Sequence, residues 1–122
     1  MNFLLLIAHG SRRQGANEEI LRLGERVSAL AGNEFDAVEV AFLELAQPDI
    51  RSGVARCAER GAKRVVVVPY FLAGGNHVHR DIPEEIESCR AEFTQLSIEI
   101  GNYPGASERM AQLVLDCSEQ AG

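Results

Sequence analysis

The sequence lacks a hydrophobic run long enough to cross a lipid bilayer. Its longest apolar stretches extend from Phe3 to Ala8 and from Val65 to Ala73, whereas a membrane-spanning helix needs roughly 20 apolar residues. The first stretch also lacks the basic flank and the small-residue cleavage site of a signal peptide. We therefore expect a cytoplasmic protein with no membrane partner. With 122 residues, 46% apolar and 25% charged, the chain has the size and composition of one domain spanning residues 1–122.

Closely spaced cysteines are also missing. Cys57, Cys89 and Cys117 lie far apart and form no Cys-x-x-Cys pair, which argues against a zinc knuckle or a redox motif. Each of them falls on the apolar stripe of a predicted helix. All three are therefore expected to be small, buried core residues.

Positive charge is scarce as well. The formal net charge is −6, whereas a general nucleic-acid binder carries a basic face, so no nucleic-acid partner is expected. The glycine-containing segments match neither a dinucleotide fingerprint nor a Walker loop. An anionic ligand would have to be held by local basic groups that act against this negative average.

What the sequence does contain is a regular alternation of strand and helix patterns. Four β-type segments, each followed by residues with helical periodicity, indicate a parallel sheet with helices on both faces. No linker or internal repeat divides the pattern. It predicts one α/β domain with a flavodoxin-like three-layer fold and a four-stranded parallel sheet in the order 2-1-3-4. The four predicted strands are Leu4–Ala8, Ala37–Leu43, Val65–Val68 and Leu96–Ile100.

Prolines set the expected limits of several elements. Pro48 suits the first turn of the second helix, and Pro69 is expected to close the third strand. A loop from Tyr70 to His79 follows, and Pro83 is placed in the first turn of the third helix. The last helix is expected to bury an apolar stripe that consists of Met110, Leu113, Val114 and Cys117.

Two histidines follow strands of this predicted sheet. His9 comes directly after the first strand, and His77 lies in the loop after the third. In an open parallel sheet, ligands bind beyond the carboxyl ends of the strands where the strand order reverses, here between strands 1 and 3. The topology therefore predicts that His9 and His77 share a site, although a histidine at a strand end is also a common structural residue. His79 fits such a site too, but its place near a helix start favours a solvated residue.

The chemistry of paired imidazoles favours a transition metal. Two imidazoles without thiolates suit Co, Ni, Fe or Zn better than Mg or Ca. Two ligands leave open coordination positions, so the ion can be released again, and a neutral imidazole can also accept a proton. Gly10 and the pair Gly74 and Gly75 either permit tight turns with positive φ or let a flat ligand approach the backbone.

Three segments together resemble a known family. They are His9-Gly10-Ser11-Arg12, then Phe42-Leu43-Glu44 with Gln47-Pro48, and finally Pro69 to His77 followed by Asp81-Ile82-Pro83. In this order, over nearly the whole chain, they resemble the small CbiX-type sirohydrochlorin chelatases, which insert a divalent metal ion into a tetrapyrrole. The most specific part of the resemblance is the stretch from Phe71 to Pro83.

The resemblance implies a class II chelatase fold and a homodimer that places the tetrapyrrole in a cleft. It also implies roles for single residues. His9 would be a metal ligand and the proton acceptor, and His77 the second metal ligand. Gln47 stands where some relatives carry Glu, so its contact with substrate is an open point. The residues expected to line the substrate are Gln47, Leu72, Ala73, Gly74, Gly75, Asn76 and His77.

Several charged residues near these segments are further candidates. Glu44 is a carboxylate that would stand in for the missing Glu, or a surface acid at a strand end. Arg12 and Arg80, and with less support Arg13, would pair with the carboxylates of sirohydrochlorin, or be solvated loop arginines. No tightly bound cofactor is expected, because the divalent metal is a substrate. The resemblance favours Co²⁺ and cobalamin synthesis, with Fe²⁺ for sirohaem or Ni²⁺ as alternatives.

Two other functions are compatible with the same residues. A His-Gly pair after the first strand also occurs in histidine phosphatases, where an arginine precedes it, but here Ala8 precedes His9. A tetrapyrrole carrier or metal-binding module would use the same histidines without accelerating insertion. The rate of insertion relative to the spontaneous rate distinguishes a carrier from a chelatase.

Overall fold

The computed structural model describes residues 1–121 and contains one four-stranded sheet. Helices and strands alternate along the chain, as the periodicity predicts. The strands are β1 Asn2–Ala8, β2 Ala37–Phe42, β3 Arg64–Pro69 and β4 Ser97–Ile100, and the helices are α1 Gln14–Ala31, α2 Ile50–Glu59, α3 Ile82–Glu92 and α4 Met110–Ser118. A π-helical turn, His77–Asp81, leads directly into α3, and a 3-10 turn, Pro104–Ala106, precedes α4.

All strands of the sheet are parallel, in the order β2-β1-β3-β4. This confirms the predicted flavodoxin-like topology. Strand β1 lies in the middle, where Leu5 is in register with Glu39 of β2 and with Val67 of β3. The apolar run of β1 is therefore required by its position, since a central parallel strand is covered on both faces.

One face of the sheet carries the main core, formed with α2 and α3. Leu5, Val54 and Ile86, from β1, α2 and α3, are completely buried there. Each such side chain contributes roughly 1.5–3 kcal/mol when fully withdrawn from water. Two cysteines belong to this core, as predicted, and burial raises the pKa of Cys57 to about 12 and that of Cys89 to about 11.

The opposite face is covered by α1, whereas α4 does not contribute to either core cluster. Ile20 and Leu23 of α1 pack on a smaller cluster that includes Leu6 and Phe42. Helix α4 has no buried residue, and its Leu113 is 52% exposed. The expectation that α4 buries its apolar stripe is therefore wrong, and so is the expectation for Cys117, which is exposed. The amphipathic pattern predicts the helix but not a neighbour that covers it.

One local expectation based on proline needs correction, for Pro48, and one is confirmed, for Pro69. Helix α2 begins at Ile50, and the side chain of Asp49 accepts a hydrogen bond from the Ser52 amide as its N-cap. Pro48 therefore lies before the helix and not in its first turn. Pro69 is the last residue of β3 and pairs with Ile7 of β1.

No helix within residues 1–121 is both long enough and apolar enough to span a bilayer. The longest helix, α1, has 18 residues and exposes charged side chains along its outer face.

Candidate functional site

The candidate site lies at the carboxyl ends of β1, β2 and β3. His9 follows the last residue of β1, Glu44 follows β2 by two residues, and His77 is the first residue of the π-helical turn after β3. The rings of His9 and His77 lie 5.0 Å apart, measured between their centroids. The fold thus brings together the two histidines that the sequence singles out, at the point where the strand order reverses.

His9 is held by the backbone of the two neighbouring strand ends. The Glu44 amide donates a hydrogen bond of 3.0 Å to the His9 carbonyl. Gly10 has a φ of +97°, and a Cβ at this position would overlap the Glu44 carbonyl oxygen. Only glycine combines this backbone conformation with so close an approach, so Gly10 fixes the direction of the chain directly after His9.

Both nitrogens of the His9 ring face oxygen atoms. Nε2 lies 2.9 Å from Oε1 of Glu44, and Nδ1 lies 3.1 Å from the Gly10 carbonyl oxygen. Both neighbouring oxygens are acceptors at neutral pH, and an imidazole donates from both nitrogens only when it is protonated. The surroundings of His9 therefore satisfy the protonated ring fully and the neutral ring in part.

His77 has a different arrangement, with a carboxylate on one nitrogen only. Its Nδ1 lies 2.7 Å from Oδ2 of Asp81, one helical turn further along the chain. Arg80 donates from Nε to the other carboxylate oxygen of Asp81, at 3.2 Å. The hydrogen bond from His77 and then that from Arg80 hold the pKa of Asp81 below its ordinary value. Asp81 therefore stays ionised at neutral pH and accepts a hydrogen bond from Nδ1–H of His77.

The helical position of His77 differs from the expectation. The predicted loop from Tyr70 to His79 ends earlier than expected, because a π-helical turn begins at His77 and leads into α3, in whose first turn Pro83 lies as predicted. The i,i+4 spacing of His77 and Asp81 is meaningful only on a helix, because it then places the two side chains on one face. Asp81 was therefore missed as a functional residue, although this spacing was a usable signal.

The remaining neighbour of His77 is Phe71, which was also not singled out as a site residue. Its ring centroid lies 6.0 Å from that of His77, with 33° between the ring planes. A groove of about 330 Å³ is lined by Phe71 and His9, but not by His77, and lies between the end of β1, the start of α1 and the segment after β3. The residues that line it include Ala8, His9, Gly10, Ser11, Asn17, Ile20, Tyr70, Phe71 and Leu72.

The glycine-rich segment between β3 and the π-helical turn is exposed, with Leu72 at 71%. Neither Gly74 nor Gly75 has a positive φ, so the tight-turn explanation is wrong for this pair. A Cβ at Gly74 would lie 2.6 Å from Nε2 of His79 and 2.7 Å from the Tyr103 hydroxyl, whereas Gly75 faces open space. Ala73 and Asn76 complete the segment and are exposed.

The other candidate residues surround the histidine pair without touching it. Gln47 is exposed on the connection between β2 and α2, just before Pro48. Arg12 and Arg13 are exposed before α1, while Arg80 is held by Asp81. His79 turns towards Tyr103, with a ring distance of 6.1 Å and an edge-on geometry. His79 therefore packs on Tyr103 instead of joining the pair.

The described part of the chain, residues 1–121, contains no ready-made cluster of three histidine, cysteine or carboxylate side chains that could hold a metal ion. An ion at this site would be met by the two imidazoles and, after a side-chain rotation, by Glu44. Such a ligand set is incomplete and leaves positions for other nitrogen donors.

A larger groove of about 610 Å³ runs along α4 and is lined by residues such as Pro104, Met110 and Leu113. It contains no histidine, although Pro104 at one end belongs to the turn that is bound to the segment after β3 by the hydrogen bond from the Gly105 amide to the Phe71 carbonyl. Volume alone is therefore a poor guide here, and the chemistry points to the smaller groove.

The fold and the histidine pair define a doubly wound α/β domain with an open imidazole site at its switch point. Comparison with known proteins makes this class specific. The CbiX family model matches residues 3–121. The chain therefore belongs to the CbiX family.

Individual relatives carry the names of metal chelatases. The chain is 33% identical over 95% of its length to the sirohydrochlorin ferrochelatase of Priestia megaterium, of which it covers 43%. It is 31% identical over 96% of its length to the sirohydrochlorin cobaltochelatase of Sulfurisphaera tokodaii, of which it covers 91%. Apart from such short relatives, the chain spans about half the length of the curated relatives it matches.

Solved structures agree with this assignment. The sirohydrochlorin chelatase SirB from Bacillus subtilis subspecies spizizenii, determined in complex with cobalt, superposes with a TM-score of 0.86 at 30% identity. The match covers 97% of this chain and 50% of that protein. The architecture described above is thus that of one half of a longer chelatase.

Proposed function

We propose that this protein inserts a divalent metal ion into sirohydrochlorin. The observation that carries the proposal is the pair of imidazole rings, His9 and His77, whose centroids lie 5.0 Å apart at the switch point of the sheet. The names of the relatives supply the substrate, since both ferrochelatases and cobaltochelatases of the family act on sirohydrochlorin.

The metal would be delivered through an incomplete ligand set. His77 presents a ring whose Nδ1 is already occupied by Asp81, so Nε2 is the nitrogen left to bind an ion. An ion that also takes Nε2 of His9 displaces the Glu44 contact and finds that carboxylate beside it. These ligands hold the ion without enclosing it, so four pyrrole nitrogens can take it over.

Proton removal is the second part of the reaction, because a metal replaces two N–H protons of the ring system. We assign one of these protons to His9, which accepts it on Nε2 after the ion has left that nitrogen, and the other to solvent water, since the His9 side chain is 41% exposed. After His9 accepts a proton, its two N–H groups find acceptors in Glu44 and in the Gly10 carbonyl. The positive charge formed on the ring is stabilised by the nearby carboxylate of Glu44.

The tetrapyrrole would lie against the exposed segment after β3. Leu72 offers an apolar side chain and Gly75 an unobstructed backbone surface, while Ala73, Gly74, Asn76 and Gln47 complete the proposed contact surface. Arg12 is exposed and available for a substrate carboxylate. Arg80 would have to divide its guanidinium between Asp81 and the substrate.

We further propose that two copies of the chain form a symmetric dimer. The support is the uncovered apolar surface of α4, where Leu113, Val114 and Leu115 are 52%, 61% and 60% exposed. Monomeric proteins seldom leave such a cluster open to water. Sedimentation of the purified protein tests this point, and a monomer at micromolar concentration would contradict it.

Cobalt is the metal we propose, in cobalamin synthesis, with iron as the alternative. The Sulfurisphaera tokodaii relative, of which the chain covers 91%, is named a cobaltochelatase, whereas the Priestia megaterium relative is named a ferrochelatase. Nickel remains a third candidate, because imidazole ligands accept all three ions. Insertion rates measured side by side with Co²⁺, Fe²⁺ and Ni²⁺ under anaerobic conditions decide between them.

The central test is the rate of metal insertion into sirohydrochlorin, followed by absorbance. We expect a rate well above the spontaneous one, and a loss of about 100-fold or more in His9→Ala and in His77→Ala. His79→Ala is the matched control, since its ring packs on Tyr103, and it should keep most of the activity. A rate equal to the spontaneous one would instead identify a tetrapyrrole or metal carrier.

A further inference from the structure

The contact between His77 and Asp81 has a consequence for the state of the imidazole ring. Nδ1 of His77 lies 2.7 Å from a carboxylate oxygen of Asp81, and an ionised carboxylate can only accept. In a neutral ring, the proton therefore resides on Nδ1. The lone pair that can bind a metal is then on Nε2, for which no hydrogen bond is found within residues 1–121.

Asp81 is in turn fixed in place by its own neighbours. Its second oxygen accepts from Nε of Arg80 at 3.2 Å, and its side chain is only 28% exposed although it belongs to a surface helix. The helical turn from His77 to Asp81 sets the spacing of the two side chains. Phe71 and His9 flank the ring at 6.0 and 5.0 Å. The ring orientation is thus determined on several sides.

His9 has no carboxylate on its Nδ1, so the contact made by Asp81 distinguishes His77 from His9. The carboxylate next to His9 belongs to Glu44, whose side chain is 56% exposed, and it contacts Nε2 of the His9 ring and not Nδ1. A ligand must displace that contact to reach Nε2. At His77 the carboxylate occupies Nδ1 and leaves Nε2 accessible, so a metal can bind without breaking the pair.

We propose that Asp81 is a positioning residue that fixes the Nδ1–H tautomer of His77 and presents Nε2 to the incoming metal ion. This inference rests on the proposed function, because it assigns a role within the same site. Carboxylates that hold metal-binding histidines typically change metal affinity by about 10- to 100-fold when they are removed.

The test compares Asp81→Ala, Asp81→Asn and Asp81→Glu with the unmodified protein. The ¹⁵N chemical shifts of the His77 ring, recorded without metal, report which nitrogen carries the proton. Co²⁺ affinity is measured separately by competition with a chromophoric chelator. Asp116→Asn is a matched control, because Asp116 also accepts from a side chain four residues earlier, Gln112, but on α4.

We expect the Nδ1–H form to dominate in the unmodified protein and to lose its dominance in Asp81→Ala and Asp81→Asn. Co²⁺ affinity should fall by about 10- to 100-fold in both variants, should be partly restored in Asp81→Glu, and should not change in Asp116→Asn. Asp81→Asn keeps the shape of the side chain, so it remains informative if the alanine variant unfolds. An unchanged tautomer and an affinity within 2-fold in Asp81→Asn would overturn the proposal.

The same variants separate this inference from the proposed function. If His77→Ala abolishes insertion while the Asp81 variants keep their tautomer and affinity, the positioning role fails and the chelatase stands. If the Asp81 variants lose the tautomer and the affinity while no protein accelerates insertion into sirohydrochlorin, the positioning role stands and the chelatase fails.

Discussion

The two histidines at the switch point face different surroundings, although each has a carboxylate beside it. His9 stands on a strand end and offers both nitrogens to acceptors, Glu44 and the Gly10 carbonyl. His77 stands on a helical turn and offers only Nδ1, to Asp81. In the proposed function, His9 accepts a proton and His77 binds the metal ion through its unengaged nitrogen. Similar residues thus acquire different roles through the nitrogen that is engaged.

The difference originates in the backbone on which each ring is mounted. The chain beyond β1 is tied to the chain beyond β2, where the Glu44 amide donates to the His9 carbonyl at 3.0 Å. His77 takes its carboxylate partner from its own helical turn, since Asp81 lies in the same turn. Damage to the strand ends should therefore affect His9 first, and damage to the turn should affect His77.

The largest effect is expected from Gly10→Ala. The new Cβ would overlap the Glu44 carbonyl oxygen, and the backbone would be strained at a φ of +97°. We expect the free energy of unfolding to fall by about 3 kcal/mol and insertion to fall by about 100-fold. Urea unfolding and the insertion assay measure the two quantities.

Gly15→Ala is the control for this substitution. Gly15 lies in α1 close by in sequence, has no positive φ, and has no atom within 4 Å of the added methyl group. It should leave insertion unchanged. If Gly10→Ala were as stable and as active as Gly15→Ala, the strand-end account of His9 would be wrong.

The sequence predicts the His9 half of this comparison better than the His77 half. The buried apolar run before His9 predicts a parallel strand. His9 must therefore lie at the carboxyl end of that strand, where ligands bind in such sheets. The π-helical turn that begins at His77 was not predicted, since Pro83 marks the first turn of α3, as expected, and gives no sign of a helical turn before it. The contact with Asp81 depends on that helix and was missed with it.

The exposure of α4 and the roles of the glycine-rich segment were also not predictable from periodicity. Helix α4 was predicted from its apolar stripe, but the stripe records only that the helix has an apolar face. Its exposure follows from the absence of a covering neighbour within residues 1–121. The roles of Leu72 to Asn76 come from the family resemblance alone, because an exposed glycine-rich segment carries no chemical signature.

The next largest effect is expected from Glu44→Gln. The amide keeps the size of the side chain but removes the charge that stabilises a protonated His9, and it is a weaker ligand for an ion. Insertion should fall by about 10-fold, with little change in the unfolding free energy, because Glu44 is exposed. Retention of the full insertion rate would show that Glu44 is only a surface acid at the strand end.

Phe71→Leu tests the His77 half of the site. Leucine keeps an apolar side chain on the core but removes the ring that packs at 6.0 Å from His77. Because such aromatic contacts contribute about 0.5–1.5 kcal/mol, we expect Co²⁺ affinity to fall by about 5-fold. The contribution of His9 should be unaffected, so the double variant His9→Ala with Phe71→Leu should show additive losses of affinity.

The smallest effect is expected from adding a methyl group to the glycine-rich segment, in Gly74→Ala or Gly75→Ala. Comparing the two variants distinguishes a contact within the protein from a contact with the substrate. In Gly75→Ala the methyl group meets no protein atom within 4 Å, whereas in Gly74→Ala it meets the ends of His79 and Tyr103. Both variants should keep the Co²⁺ affinity of the unmodified protein, because neither methyl group reaches His9 or His77. Gly75→Ala should raise the KM for sirohydrochlorin about 2-fold, since its only possible obstacle is the ligand. A change in Co²⁺ affinity in Gly75→Ala would contradict the separation of the metal ligands from the substrate surface.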